Sequence, residues 1–225
     1  MILNALYNRD IETFIISLLL MLPIVLLSLS VHETAHGYVS YNLGDPTAKA
    51  MGRLSLNPAK HIDPVGFLCM LLFGFGWAKP VPINTRYFKN PKRDMALSAL
   101  AGPVSNLLLA LLFALFLKGQ YLSLNWFTIQ TETQYYFFYW LQVFFVTAIQ
   151  LNVTLAVFNL LPIPPLDGSR LFLTFLPSHL YFKFMRYERV ISLVLMLALF
   201  VGLLDPAIDF ISGLFMDLIW KFVQL

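Results

Sequence analysis

The chain has 225 residues, of which 59% are apolar and 12% are charged. This charged fraction is about half that of an average soluble protein, and it is too small to cover the surface of a soluble domain. The composition therefore predicts a polytopic α-helical membrane protein. The formal charge of +3 does not indicate a nucleic-acid partner, and a single cysteine, Cys69, excludes an intrachain disulfide and a cysteine-based zinc site.

Apolar runs of sufficient length to cross a bilayer occur three times along the chain. They cover residues 14–31 with a continuation to about 41, residues 95–117, and residues 135–161. Two shorter runs follow, and the Asp205-Pro206 pair between them predicts a helical hairpin over residues 188–225. The sequence contains no internal repeat or linker, so we expect one membrane-embedded domain over residues 1–225, with its core in residues 13–175.

The stretch between the first two long runs has a different character. Residues 65–77 form an apolar run of only about 13 residues, which is typical of a re-entrant or interfacial segment. The proline-rich residues 79–84 that follow predict extended chain. We therefore expect an all-α polytopic membrane protein with about five to six transmembrane helices. It would have a core of three helices and a re-entrant, β-like segment between the first two core helices.

The basic residues favour the same topology. If residues 65–77 do not cross, the loops 42–94 and 165–189 lie on one side of the membrane and carry twelve basic residues. The positive-inside rule then predicts that both loops are cytoplasmic and that the N-terminus is outside. The twelve basic residues of the two loops are Lys49, Arg53, Lys60, Lys79, Arg86, Lys89, Lys92, Arg93, Arg170, Lys183, Arg186 and Arg189.

A short motif near the predicted cytoplasmic end of the first run carries the clearest chemical signal. His32 and His36 are four residues apart and therefore share one face of a helix, where both imidazoles can bind one Zn²⁺. Glu33, beside the first histidine, is placed to abstract a proton from zinc-bound water. A carboxylate at the end of an apolar helix is costly, which favours a functional role over a chance pair of histidines.

A catalytic zinc site needs a third protein ligand. The remaining histidines are His61 and His179, and the better candidate is Asp167, which follows the proline-broken end of the third run. A broken backbone at membrane depth is tolerated where it is buried in protein or lines a watery cavity, although a simple helix-ending turn is an equal alternative for this stretch. With residues 65–77 re-entrant, Asp167 and the histidine pair fall on the same side of the membrane.

Three motifs, in their order along the chain, resemble those of the site-2 protease family of intramembrane zinc metalloproteases. The resemblance is to a minimal bacterial form without a PDZ domain. The motifs are the His32–His36 motif, Gly102-Pro103-Val104-Ser105-Asn106, and the stretch from Asn159 to Asp167-Gly168. The resemblance implies one zinc ion per chain, bound by the two histidines and Asp167, with Glu33 as the general base. It also implies hydrolysis of a peptide bond within or near the transmembrane segment of a membrane-protein substrate.

Three further polar residues are candidates for contacts with substrate or the transition state: Asn106, Asn159 and His61. An asparagine inside the membrane is equally often an interhelical hydrogen bond. His61 is predicted to be a transition-state donor, a gate, a residue behind the metal ligands or a plain interfacial histidine. The residues 79–84 offer an extended edge that we expect to hold the substrate as an added strand.

Two other functions compete with proteolysis. A divalent-metal transporter also needs histidine and carboxylate in the membrane, but transporters usually show paired halves, and no second half mirrors the first here. A catalytically inactive binding protein would not need Glu33. We expect a multi-pass protein of the cell (inner or plasma) membrane, in contact with the lipid bilayer, whose active site faces the cytoplasm.

Overall fold

The computed structural model describes residues 11–73, 76–124, 126, 128–177 and 186–224. Within these ranges the regular elements are helices, as predicted, and no strand is formed. His179, Lys183 and residue 225 lie outside the described residues. The α-helices are α1 (Ile11–Asn42), α2 (Thr47–Ala50), α3 (Pro64–Phe73), α4 (Pro91–Leu124), α5 (Glu132–Leu160), α6 (Asp167–Leu173), α7 (Glu188–Phe200) and α8 (Asp205–Gln224), and two short 3-10 helices cover Pro58–Lys60 and Thr85–Tyr87.

Three helices among the described residues are long and apolar enough to cross a membrane. They are Ile15–Asn42 of α1, all of α4 and all of α5, which confirms the three long runs as candidate membrane spans. The helices α7 and α8 pass the same test only together, and they are bent by 80° at the break between them. The described helices therefore supply three spans, or four if this bent pair is one span.

Two serine hydroxyls of helix α1 bond to the helix's own backbone before the histidines. The hydroxyl of Ser28 donates to the carbonyl of Ile24 at 2.7 Å, and the hydroxyl of Ser30 donates to the carbonyl of Leu26 at 2.6 Å. Such bonds to the preceding turn give each hydroxyl a hydrogen-bond partner in an apolar environment. The helix stops before Gly44, whose φ of +108° is a conformation that side chains rarely adopt and that ends helices.

The connector, residues 43–90, links α1 to α4 and contains the predicted re-entrant segment. Helix α3 has 10 residues and is about 15 Å long, roughly half the thickness of the hydrocarbon core. The two ends of this segment meet, because Ile62 and Ala78 form an isolated antiparallel bridge and the Lys79 amide donates to the His61 carbonyl at 2.8 Å. Residues 78–84, the extended segment, follow directly.

The chain divides into two compact units, an N-terminal unit of residues 1–102 and a C-terminal unit of residues 103–225. In the C-terminal unit, α5 packs against α6 and α8. The ammonium of Lys118 in α4 donates to the Phe222 carbonyl at 3.0 Å, so the C-terminal ends of α4 and α8 are adjacent.

Candidate metal centre

The two histidines of α1 lie side by side and are nearly excluded from solvent. Each is 6% exposed, and their Nε2 atoms are 3.0 Å apart. Two nitrogens that bind one tetrahedral zinc at 2.0–2.1 Å are about 3.3 Å from each other. The spacing of four residues on a helix thus brings both nitrogens close to the separation that a shared metal ion requires, as the sequence predicted.

A backbone carbonyl orients the second histidine. The Nδ1 atom of His36 lies 2.7 Å from the carbonyl oxygen of Ser98 in α4. A carbonyl can only accept a hydrogen bond, so Nδ1 carries the proton and Nε2 keeps its lone pair for a metal. The buried Ser98 hydroxyl also bonds to the Ser40 hydroxyl at 2.6 Å and to the His36 carbonyl at 3.2 Å. Ser98 was not a candidate from the sequence, because its backbone carbonyl orients the histidine and every residue type has such a carbonyl.

The two residues that follow His32 are bonded to the connector. A carboxylate oxygen of Glu33 accepts a hydrogen bond from the amide of Val81 at 2.8 Å. The hydroxyl of Thr34 donates to the carbonyl of Ser55 at 2.9 Å. The extended segment is therefore held directly beside the predicted general base.

Two buried charged residues hold the extended segment at its ends. The guanidinium of Arg53, which is 8% exposed, donates from Nη2 to the carbonyls of Lys79 at 2.7 Å and Pro80 at 3.3 Å. The carboxylate of Asp45, fully buried, accepts from the Asn84 amide at 2.7 Å. Neither residue was a candidate from the sequence. The available signal was a charge next to a glycine turn, which is also typical of an ordinary exposed loop.

His61 lies in the connector and is 2% exposed. Its Nε2 atom is 2.6 Å from the Ser55 carbonyl, the same oxygen that accepts from Thr34, so Nε2 carries the proton. Its Nδ1 atom has no hydrogen-bond partner in the described part of the chain. His61 is therefore bonded to the same connector carbonyl, that of Ser55, as Thr34 of α1. Its role toward substrate stays a prediction.

Asp167 is the first residue of α6, in the C-terminal unit, and is half-buried. The turn before it brings the chain back onto the end of α5. A Cβ at Gly168 would lie 2.2 Å from the Leu160 carbonyl oxygen, so only glycine allows this close approach. The hydroxyl of Ser169 donates to the Leu166 carbonyl at 2.7 Å and closes the turn. The broken helix end predicted from the prolines is therefore a tight turn that begins a new helix at Asp167.

The two asparagine candidates differ in their bonds. The amide nitrogen of Asn106 donates to Asn152 Oδ1 at 2.9 Å, and both side chains are fully buried. The amide of Asn159 donates to the Leu155 carbonyl in its own helix at 2.9 Å. Asn152 did not stand out in the sequence. The pair is an interhelical hydrogen bond of the kind weighed above, and contacts of Asn106 or Asn159 with substrate stay predictions.

Comparison with known proteins gives a consistent set of matches. The model of peptidase family M50 matches residues 20–203. "Putative zinc metalloprotease YwhC" of Bacillus subtilis is 44% identical over 179 residues, which are 79% of this chain and 78% of that protein. "Putative zinc metalloprotease Rip2" of Mycolicibacterium smegmatis is 31% identical over 149 residues, which are 64% of this chain and 52% of that protein. No solved structure matches the chain.

Proposed function

Since the chain belongs to peptidase family M50 and is a zinc metalloprotease of the site-2 protease type, we propose which of its residues perform the reaction. His32, His36 and Asp167 bind one zinc ion per chain, and Glu33 is the general base. The observation that carries the proposal is the pair of buried Nε2 atoms 3.0 Å apart, one of them oriented by a backbone carbonyl. The transporter and inactive-protein alternatives have no support from the matches.

The donor set fits a catalytic zinc. Two imidazoles and one carboxylate make three protein ligands, which leaves the fourth position of a tetrahedral ion for water or substrate. When bound, zinc supplies Lewis-acid chemistry that lowers the pKa of water and polarises a carbonyl. Glu33 takes the proton of the attacking water and delivers it to the leaving amine. The bond from the Val81 amide supports this role, because it holds the carboxylate in one orientation.

The membrane topology belongs to the same proposal. The loops that carry most basic residues are cytoplasmic, and the active site opens to that side of the cell membrane. Helix α3 is too short to cross, and the meeting of Ile62 with Ala78 supports a re-entrant segment that enters and leaves on one side. The count of five to six transmembrane helices and the single domain over residues 1–225 stay predictions.

The zinc site is tested by metal content and cleavage together. We expect mass spectrometry of purified protein to find close to one zinc per chain in the wild type, and to find it lost in His36→Ala and Asp167→Ala. Glu33→Gln should keep the zinc and lose about 100-fold or more of the cleavage of a model transmembrane substrate. Zinc retained in Asp167→Ala would contradict the third ligand, and cleavage retained in Glu33→Gln would contradict the base.

We further propose that the substrate is a membrane protein whose unwound segment pairs with the extended segment. In extended chain, residues two apart direct their backbone groups to the same edge, so Ile83 shares the edge on which the Val81 amide faces Glu33. Within the described residues, the Ile83 amide and carbonyl have no hydrogen-bond partner. A substrate strand bonded to Ile83 would therefore run past the general base.

Proline substitution tests this pairing, because it deletes one amide proton from the edge. We expect Ile83→Pro to raise the KM of a transmembrane substrate about tenfold, the effect of losing roughly 1.4 kcal/mol of backbone bonding. Zinc content should not change. Val81→Pro removes the bond to Glu33 instead, and we expect it to lower kcat. Unchanged cleavage by both variants would exclude strand addition at this edge.

A further inference from the structure

Gly102, in the middle of α4, lies directly against the two histidines of α1. A Cβ built on this glycine would be 2.4 Å from Nε2 and 2.5 Å from Cε1 of His36, and 2.5 Å from Cε1 of His32. Real Cβ atoms essentially never come closer than 3.0 Å to such neighbours. The position therefore admits no side chain while both imidazole rings keep their present orientation.

We propose that Gly102 is a determinant of metal binding, because its missing side chain leaves the space beside the Nε2 atoms that the ion needs. This inference rests on the zinc site proposed above. The proton of His36 is on Nδ1, so the metal must approach at Nε2, and a methyl group at residue 102 would stand closest to that atom. Gly102 is thus a positioning residue that acts through the two ligands.

The atoms in the way decide whether such a methyl group disturbs the metal or the fold. At Gly102 they are the ends of two side chains, which rotate aside at modest cost when no metal holds them. That rotation removes Nε2 of His36 from the metal position and breaks the bond to the Ser98 carbonyl. At Gly168, by contrast, the atoms in the way are the backbone carbon and oxygen of Leu160, at 2.4 and 2.2 Å, which no rotamer change relieves.

The same helix contains a matched control. Gly119 also lies in α4, and a Cβ there meets nothing within 4 Å. Gly119→Ala makes the same chemical change in the same helix without touching a histidine. Because alanine favours a helix over glycine, neither substitution disfavours α4 itself.

The experiment compares full-length wild type, Gly102→Ala, Gly119→Ala and His36→Ala, purified in detergent and equilibrated at a fixed free zinc concentration. Zinc per chain is measured by mass spectrometry, and thermal unfolding is measured with and without a chelator. We expect Gly119→Ala to bind zinc as the wild type does and Gly102→Ala to bind it at least about tenfold more weakly, the loss typical of disturbing the groups around metal ligands. In the chelator, all four proteins should unfold within a few degrees of one another.

Two results would overturn the inference while leaving the zinc site intact. One is Gly102→Ala with the zinc affinity of the wild type. The other is a metal-free Gly102→Ala that does not fold or unfolds far below metal-free Gly119→Ala, which would make residue 102 a requirement of helix packing. A wild type that binds no zinc, or a His36→Ala that still binds it, would instead overturn the proposed metal site and this inference with it.

Discussion

Polar side chains are satisfied in different ways in two regions, around the histidines of α1 and along α5. Around the histidines of the N-terminal unit, they bond to backbone groups far away in sequence, as Thr34 does to Ser55 and Glu33 to Val81. On α5, in the C-terminal unit, Asn152 and Asn159 donate to carbonyls four residues earlier in the same helix. The bonds of α5 form wherever the helix forms, whereas those around Glu33 form only when the connector is folded.

Bonds within one helix and bonds between distant segments have different effects on the structure. A bond within one helix hides a polar group from lipid but does not place one segment against another. A bond between distant segments costs chain entropy to close, and it fixes the position of both partners. The region around the histidines therefore has bonds of the kind that arrange an active site, and the connector should be as important for activity as α1.

The largest effect on this contrast is expected from Arg53→Met. Methionine keeps much of the length and apolar stem of arginine but removes both hydrogen bonds to the Lys79 and Pro80 carbonyls. Bonds from a charged donor contribute about 1.5–3 kcal/mol each when buried, so we expect a clear loss of unfolding free energy and a more than tenfold loss of cleavage. The zinc content should remain, because no histidine is touched.

Arg53→Lys is the matched control for that variant. An ammonium keeps the charge and carries three N–H donors on one nitrogen, but the lysine side chain is shorter than that of arginine and lacks the planar guanidinium. We expect intermediate cleavage of the same model transmembrane substrate, with normal zinc content. Wild-type cleavage by Arg53→Met would show that the extended segment needs no support from Arg53, and the contrast between the two regions would lose its functional meaning.

The same difference explains how much of the site the sequence predicts. The spacing of His32 and His36 is a property of one helix, so the pairing of their rings follows from periodicity alone. The long apolar runs likewise predict the three helices that can span a membrane. Both are local patterns, and both are confirmed.

The residues that hold the histidines and the extended segment in place could not be predicted from the sequence. Ser98 orients His36 through its backbone carbonyl, which every residue type has, so no residue code reports it. Arg53 and Asp45 look like loop charges until the connector folds and buries them. Such contacts depend on which backbone groups tertiary structure brings together, and a single sequence does not contain that information in any local pattern.

The smallest effect is expected where α5 departs from the contrast, at the bond between Asn106 and Asn152. A double-mutant cycle with Asn106→Leu and Asn152→Leu measures their coupling in the unfolding free energy. We expect about 0.6 kcal/mol, the average for such pairs in membranes, because the unfolded helices find other partners for the same groups. If Asn106 also contacts the substrate, Asn106→Leu should lower kcat more than Asn152→Leu does. Equal kcat in the two variants would leave Asn106 with the interhelical bond as its only role.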